Sequence, residues 1–284
     1  MFAYVHAIHN YDIAFRFMEM IHNVKCVLPF FAAMAILVCG CTTTQISRFE
    51  LETSEAPEVS GPNRYLEPKT TTYRLFGTLK LDKNEDIAVS GKYRDWDADT
   101  LAKVKTFFAN GIYHMGGFEG TGGFELYKKS DNAVYGLGIG YNDGIYHHIT
   151  YGFNFQHFEF GSYLGFFHQY MHVKYSGSSC SGVNTCLHDN EDFNEDKNVF
   201  ESSLFWGLYA GVFIGDFFLN YSLSGYTPGL DTDDESVSTP TITSNYFTLG
   251  YHINKNFAVS VGAVGSDVAS HWHWAGSCGI HYYR

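Results

Sequence analysis

From about residue 112 to the C-terminus, apolar side chains alternate with small or polar ones at a period of two, and that alternation restricts the chain to strands. Ala133, Tyr135, Leu137, Ile139 and Tyr141 fall on one face of an extended run, with Val134, Gly136, Gly138 and Gly140 on the other. Asp143-Gly144 follows, a dipeptide suited to a two-residue hairpin. The pattern resumes with Ile145, His147, Ile149, Tyr151, Phe153 and Phe155, and a second turn is expected at Glu159-Phe160-Gly161. Residues 199–214 place Leu204, Trp206, Leu208, Ala210, Val212 and Ile214 on one face, with Ser203, Phe205, Gly207, Tyr209 and Gly211 on the other. Shorter runs of the same kind occupy 217–227, 245–253 and 257–265, and a last one carries Trp272, Trp274, Ile280 and Tyr282.

Connection lengths alternate as well. Gly215-Asp216 and Asn254-Lys255-Asn256 are tight, whereas 177–197 and 228–240 are long and acidic. Short turns at one end, long loops at the other and runs of about ten residues are features of transmembrane β-barrels. Over roughly residues 110–284 the chain therefore resembles the small bacterial outer-membrane β-barrel proteins. The resemblance implies an all-β, antiparallel transmembrane barrel of 8–10 strands, closed because a sheet edge has no partner in lipid. A soluble β-sandwich or lipocalin-like barrel alternates in the same way and is the competing fold. Nine strands are visible from 112 to 283. A hairpin in 112–128 turning near Gly120 gives ten, and merging two gives eight; residues 72–96 offer a further strand. Residues 97–109 read as one helix at the periplasmic mouth, with Asp99 as cap, Leu101, Val104 and Phe108 on one face and Gly111 as terminator.

The N-terminus carries a different signal. Residues 26–38 are apolar and preceded by Lys25; they have the length of a signal-peptide core and are too short to span a bilayer as a helix. Met18 or Met20 makes a more ordinary start than Met1. The end of this run, Leu37-Val38-Cys39-Gly40-Cys41, resembles the lipobox of bacterial lipoproteins. The resemblance implies that residues 1–40 are removed and that Cys41 becomes an acylated N-terminus; cleavage near Gly40 with Cys41 a plain thiol is the alternative. Residues 41–71 are rich in Thr, Ser and Glu, contain Pro57, Pro62 and Pro68, and show no hydrophobic period, so they read as a flexible lipid-anchored tether. The domain order expected is signal segment 1–40, tether 41–71, a strand and helix segment 72–111, and a barrel over 112–284.

A net charge of −12 with no basic patch excludes nucleic acid as a natural partner. Cys180 and Cys186, close together in a polar stretch, are expected to pair in an oxidising compartment, two free thiols being the alternative. Cys278 reads as a small packing residue. Fourteen histidines raise a metal hypothesis, yet no Cys/His spacing typical of zinc is present. The acidic stretches 188–197 and 230–236 lack a spaced calcium-ligand pattern. Ser270 beside His271 does not form a nucleophile–base pair, since strand neighbours face opposite ways, and no G-x-S-x-G elbow occurs. No catalytic residue, metal or cofactor is expected. The function expected is an outer-membrane barrel lipoprotein with a structural, surface-interaction or assembly role, in contact with outer-membrane lipid and meeting an envelope or extracellular partner through loops 177–197 and 228–240. A narrow pore, a lipid-modifying enzyme and a soluble secreted binding module are the alternatives.

Overall fold

A computed structural model of the chain describes residues 42–81, 83–96, 104–116, 118–181, 190–231 and 236–284. Gln45–Ser178 together with Asp192–Arg284 make one compact unit, apart from Ser179–Glu191 and the residues before Gln45. All regular structure among the described residues is β. The strands are β1 (Thr42–Glu52), β2 (Thr71–Leu81), β3 (Glu85–Trp96), β4 (Val104–Met115) and β5 (Phe118–Lys129). They continue as β6 (Ala133–Asn142), β7 (Ile145–Asn154), β8 (Phe158–Ser181), β9 (Asn190–Ile214) and β10 (Phe217–Tyr226). The last are β11 (Gly229–Asp231), β12 (Ser236–Ser238), β13 (Ile242–His252), β14 (Phe257–Val268) and β15 (His271–Tyr283).

Ten of these close into an antiparallel barrel in the order β8-β7-β6-β5-β2-β15-β14-β13-β10-β9, with β8 pairing back to β9. Closure leaves no edge unpaired, which is what a lipid-embedded sheet requires. The period of two then sorts side chains by face. Tyr135, Leu137, Ile139 and Tyr141 point outward, as do Trp206, Leu208, Val212, Trp274 and Ile280. Leu208, for example, stays 53% exposed, the behaviour of an outer band meant for hydrocarbon rather than water. On β8 and β9 the large exposed apolar residues end at Tyr170 and Phe200. Beyond them the outer face turns polar, with His172 and Lys174 facing Asp196 at 3.2 and 3.7 Å.

The two ends differ. Residues 130–132, 155–157, 215–216 and 253–256 make tight connections at one end, and Arg284 is seated there, exchanging backbone hydrogen bonds with Tyr73 at 3.0 and 3.1 Å. The other end carries everything long: the β3–β4 hairpin, the β11–β12 hairpin and the extensions of β8 and β9 past their barrel partners. There a second layer forms in the order β11-β12-β3-β4-β1-β8. Its interior is apolar, built from Ile46, Phe49, Leu51, Val89, Ala109, Met171 and Val173.

Several expectations need correction. The expected helix is instead β4 over 104–109, while 97–103 lie outside the described residues. Its buried positions Ala109, Gly111, Tyr113 and Met115 follow a period of two and pair with β3 (Ile87↔Tyr113), so long-range pairing overrides local helical spacing. No turn forms at Gly120; β5 runs unbroken through it, and Gly123 leaves room for the Phe76 ring from β2. The tenth barrel strand is β2. The second hairpin turns at 155–157 and not at 159–161, because Phe153 pairs with Phe160 and Phe155 stacks on Phe158 at 4.6 Å. Gly161 instead accommodates the Tyr209 ring. The 177–197 stretch is mostly strand extension, with 182–189 outside the described residues. Finally, the segment expected to be a flexible tether is β1 followed by chain inside the barrel.

Candidate functional site

The lumen is occupied by the protein's own residues 53–66. An extended chain in a closed barrel must find partners for its peptide groups, and here the wall provides many of them in sequence order. Along β10 the inward side chains descend like rungs. Tyr226 Oη donates to Ser54 O (2.9 Å), Ser224 Oγ to Pro57 O (2.7 Å) and Ser222 Oγ to Val59 O (2.7 Å). Lower still, Asn220 Nδ2 donates to Asn63 Oδ1 at 3.0 Å. From β13, Ser244 Oγ accepts from Ala56 N at 3.0 Å, and Tyr246 Oη bonds to Ala56 O. Asn154 on β7 serves both sides of the backbone, accepting from Leu66 N (2.9 Å) and donating to Arg64 O (2.8 Å). Pro57 and Pro62 are buried in this segment. Lacking an N–H, each removes one donor that the wall would otherwise have to satisfy.

Charges reinforce the ladder at three levels. Near the long-loop end, Lys80 Nζ contacts Glu55 Oε2 at 2.7 Å and Asn142 Oδ1 at 2.9 Å. At mid-height, Arg74 Nε donates to Glu125 Oε2 at 2.7 Å, and its Nη1 reaches Gly61 O at 3.0 Å. The Tyr127 hydroxyl lies 2.7 Å from Ser60 O and 2.9 Å from Glu125 Oε2. Near the tight-turn end, Lys129 Nζ donates to Leu66 O at 2.6 Å, and Glu159 Oε1 accepts from Asn63 N at 2.9 Å. Burying charges is costly unless each is paired and hydrogen-bonded. Arg74, Lys80, Glu55 and Glu125 are all under 3% exposed, and each has such a partner.

The apolar second layer lies at the long-loop end. Tyr113, on β4 in that layer, is fully buried; its hydroxyl donates to Pro240 O at 3.3 Å, and burial raises the phenol's pKa. Beside the segment, Glu125 Oε1, both ring nitrogens of His148, Thr150 Oγ1 and Tyr209 Oη have no hydrogen-bond partner among the described residues, with His148 Nε2 3.6 Å from Glu125 Oε1. The arrangement fills the lumen and fixes a chain in it.

Sequence-predicted residues fall as follows. Cys41 and Cys186 lie outside the described residues, as does the side chain of Cys180, whose backbone is in β8. Cys278 faces outward on β15, exposed and not packed inside as expected, and has no disulfide partner among the described residues. His147 and His148 point to opposite faces, as the period requires; His147 stacks on His168 with ring centroids 5.2 Å apart on the outer surface. His168 Nδ1 lies 2.7 Å from Ser202 Oγ and His172 Nδ1 3.1 Å from Asn198 Oδ1. Ser270 sits in the tight turn between β14 and β15 with φ 72°. Residues 53–66 were legible only as polar and proline-rich. The one signal for their place is the row of hydroxyl and amide residues at Asn220, Ser222, Ser224 and Tyr226, spaced by two on an inward face.

No protein-family model matches the chain, and no curated protein matches it in sequence. Among solved structures, it overlaps a monoaromatic hydrocarbon channel, the TodX deltaS2 mutant, at 5% identity and TM-score 0.33, covering 76% of this chain and 90% of that one. The Pseudomonas putida toluene transporter TodX gives 7% identity and TM-score 0.30, with 77% and 90% covered. Acinetobacter baumannii OccAB4 gives 9%, TM-score 0.23, and 79% and 100%. These overlaps are loose; the ten-stranded barrel rests on the strand pairing itself.

Proposed function

We propose that this chain is an outer-membrane β-barrel lipoprotein with a structural or surface-interaction role. The outward apolar band supports residence in a bilayer, and the unequal ends support the orientation of outer-membrane barrels, short turns inward and long loops outward. One observation favours a scaffold over a transporter: residues 53–66 fill the lumen and are bonded along their length to the wall. The long-loop layer is then the surface offered to an envelope or extracellular partner, and Cys41 carries the lipid.

Two measurements test this reading. Purified protein reconstituted in a planar bilayer is expected to migrate in a heat-modifiable way on gels and to give no steady conductance. Stable single-channel steps in the wild type would favour the narrow-pore reading instead. Metabolic labelling with a radiolabelled fatty acid is expected to mark the wild type and to miss Cys41→Ala; equal labelling of both removes the lipid anchor from the proposal.

A further inference from the structure

The threaded segment fixes which side of the barrel the N-terminal arm occupies, and this inference rests on the outer-membrane reading above. Thr53 bonds to Tyr226 at the long-loop end, while Leu66 bonds to Lys129 at the tight-turn end, where Arg284 is also seated. The chain therefore crosses the whole barrel between β1 and β2, and residues 45–52 stand on the face opposite the C-terminus. β1 is fastened there. It pairs in parallel with β4 from Arg48↔Asn110 to Glu52↔His114, and Ser47 Oγ donates to Ser176 O of β8 at 3.1 Å. Gln45 lies against Gly177, seven residues past Tyr170, where the outer apolar face ends. At a strand rise of about 3.3 Å per residue, that is roughly 23 Å along β8 beyond the apolar band.

We propose that the barrel carries its own N-terminal arm across the outer membrane and displays it on the cell surface, with residues 53–66 as the stalk. The wall is suited to hold a stalk of little side-chain character, because it bonds mainly to main-chain carbonyls, those of Ser54, Pro57, Val59, Gly61 and Leu66. β1 acts as the stop. The stalk cannot slide back without breaking β1 away from β4 and β8, so the arm must cross before the outer layer assembles.

The test uses single added cysteines and a membrane-impermeant maleimide on whole cells, with wild-type labelling as the baseline. Arg48→Cys replaces an exposed side chain on β1, and Ser130→Cys an exposed side chain in a tight turn. Each is first checked for heat-modifiable migration from the outer-membrane fraction. Arg48→Cys is expected to label as fully in intact as in permeabilised cells, and Ser130→Cys only after permeabilisation. Any other pattern in heat-modifiable protein overturns the proposal: both sites hidden in intact cells, both reachable, or the reverse order. If the protein is absent from the membrane fraction and folded in buffer, the outer-membrane reading fails first, and that result is distinct from a wrong orientation.

Discussion

Glu125→Gln strips the negative charge from the mid-lumen pair while conserving volume. Arg74, 2% exposed, then keeps one neutral carbonyl acceptor, Gly61 O at 3.0 Å, and whatever the new amide oxygen supplies. Removing one member of a buried pair costs about 3–5 kcal/mol, because the other charge is left without compensation. The retained amide oxygen places this variant at the lower end, about 3 kcal/mol, which is roughly a hundredfold in the unfolding equilibrium. Tyr127 still donates to Ser60 O, so no hydroxyl is orphaned. Arg74→Met strands Glu125 in the same way and is expected to cost at least as much. The double variant removes both charges and should cost clearly less than the sum of the two, a coupling of the kind contacting residues show. The assay is urea unfolding of vesicle-folded protein, followed by tryptophan fluorescence and by heat-modifiable migration. If Glu125→Gln stays within about 0.5 kcal/mol of the wild type, as a surface change would, or if the two single costs simply add, the pair is not what holds the segment at this level.

Leu208 faces outward and Gly207 inward on the same strand, so substitutions there should fail for different reasons. Leu208→Arg is expected to cost about 2–4 kcal/mol of membrane stability at mid-span, read in the same urea assay; a neutral result would argue against a lipid-facing band. Gly207→Ala should also destabilise, by crowding, since a Cβ there overlaps the Tyr163 ring and the Leu223 carbonyl; neither Tyr163→Phe nor Tyr163→Ala should fully relieve it, because the overlap with the backbone carbonyl remains, and a neutral Gly207→Ala in the same assay would refute the crowding. Cys180 and Cys186 are expected to form a disulfide in the exported protein; alkylation with and without reductant followed by peptide mass checks this, and free thiols on both residues would refute it.

The barrel itself was written in local sequence. A period of two over ten-residue runs, together with Asp143-Gly144, Gly215-Asp216 and the 254–256 turn, dictates strands, faces and ends, because side-chain direction in a strand follows from backbone geometry alone. Leu208 outward and Gly207 inward could be read without coordinates. What fills the barrel could not. Residues 53–66 have no apolar period and hold Pro57 and Pro62, so by composition they match a tether; they are ordered by wall residues, many of them far away in the chain, such as Glu159 for Asn63, 96 positions on, and Tyr246 for Ala56, 190 positions on. β4 makes the same point in reverse. Its helical spacing is a local preference that pairing with β3 and β1 outweighs. Sequence by itself determined which residues face lipid, since that depends only on the strand's own pleat. Tertiary structure decided that the lumen is filled, which charges meet inside it, and on which side the N-terminal arm stands, since each depends on contacts that exist only once the barrel has closed around the segment.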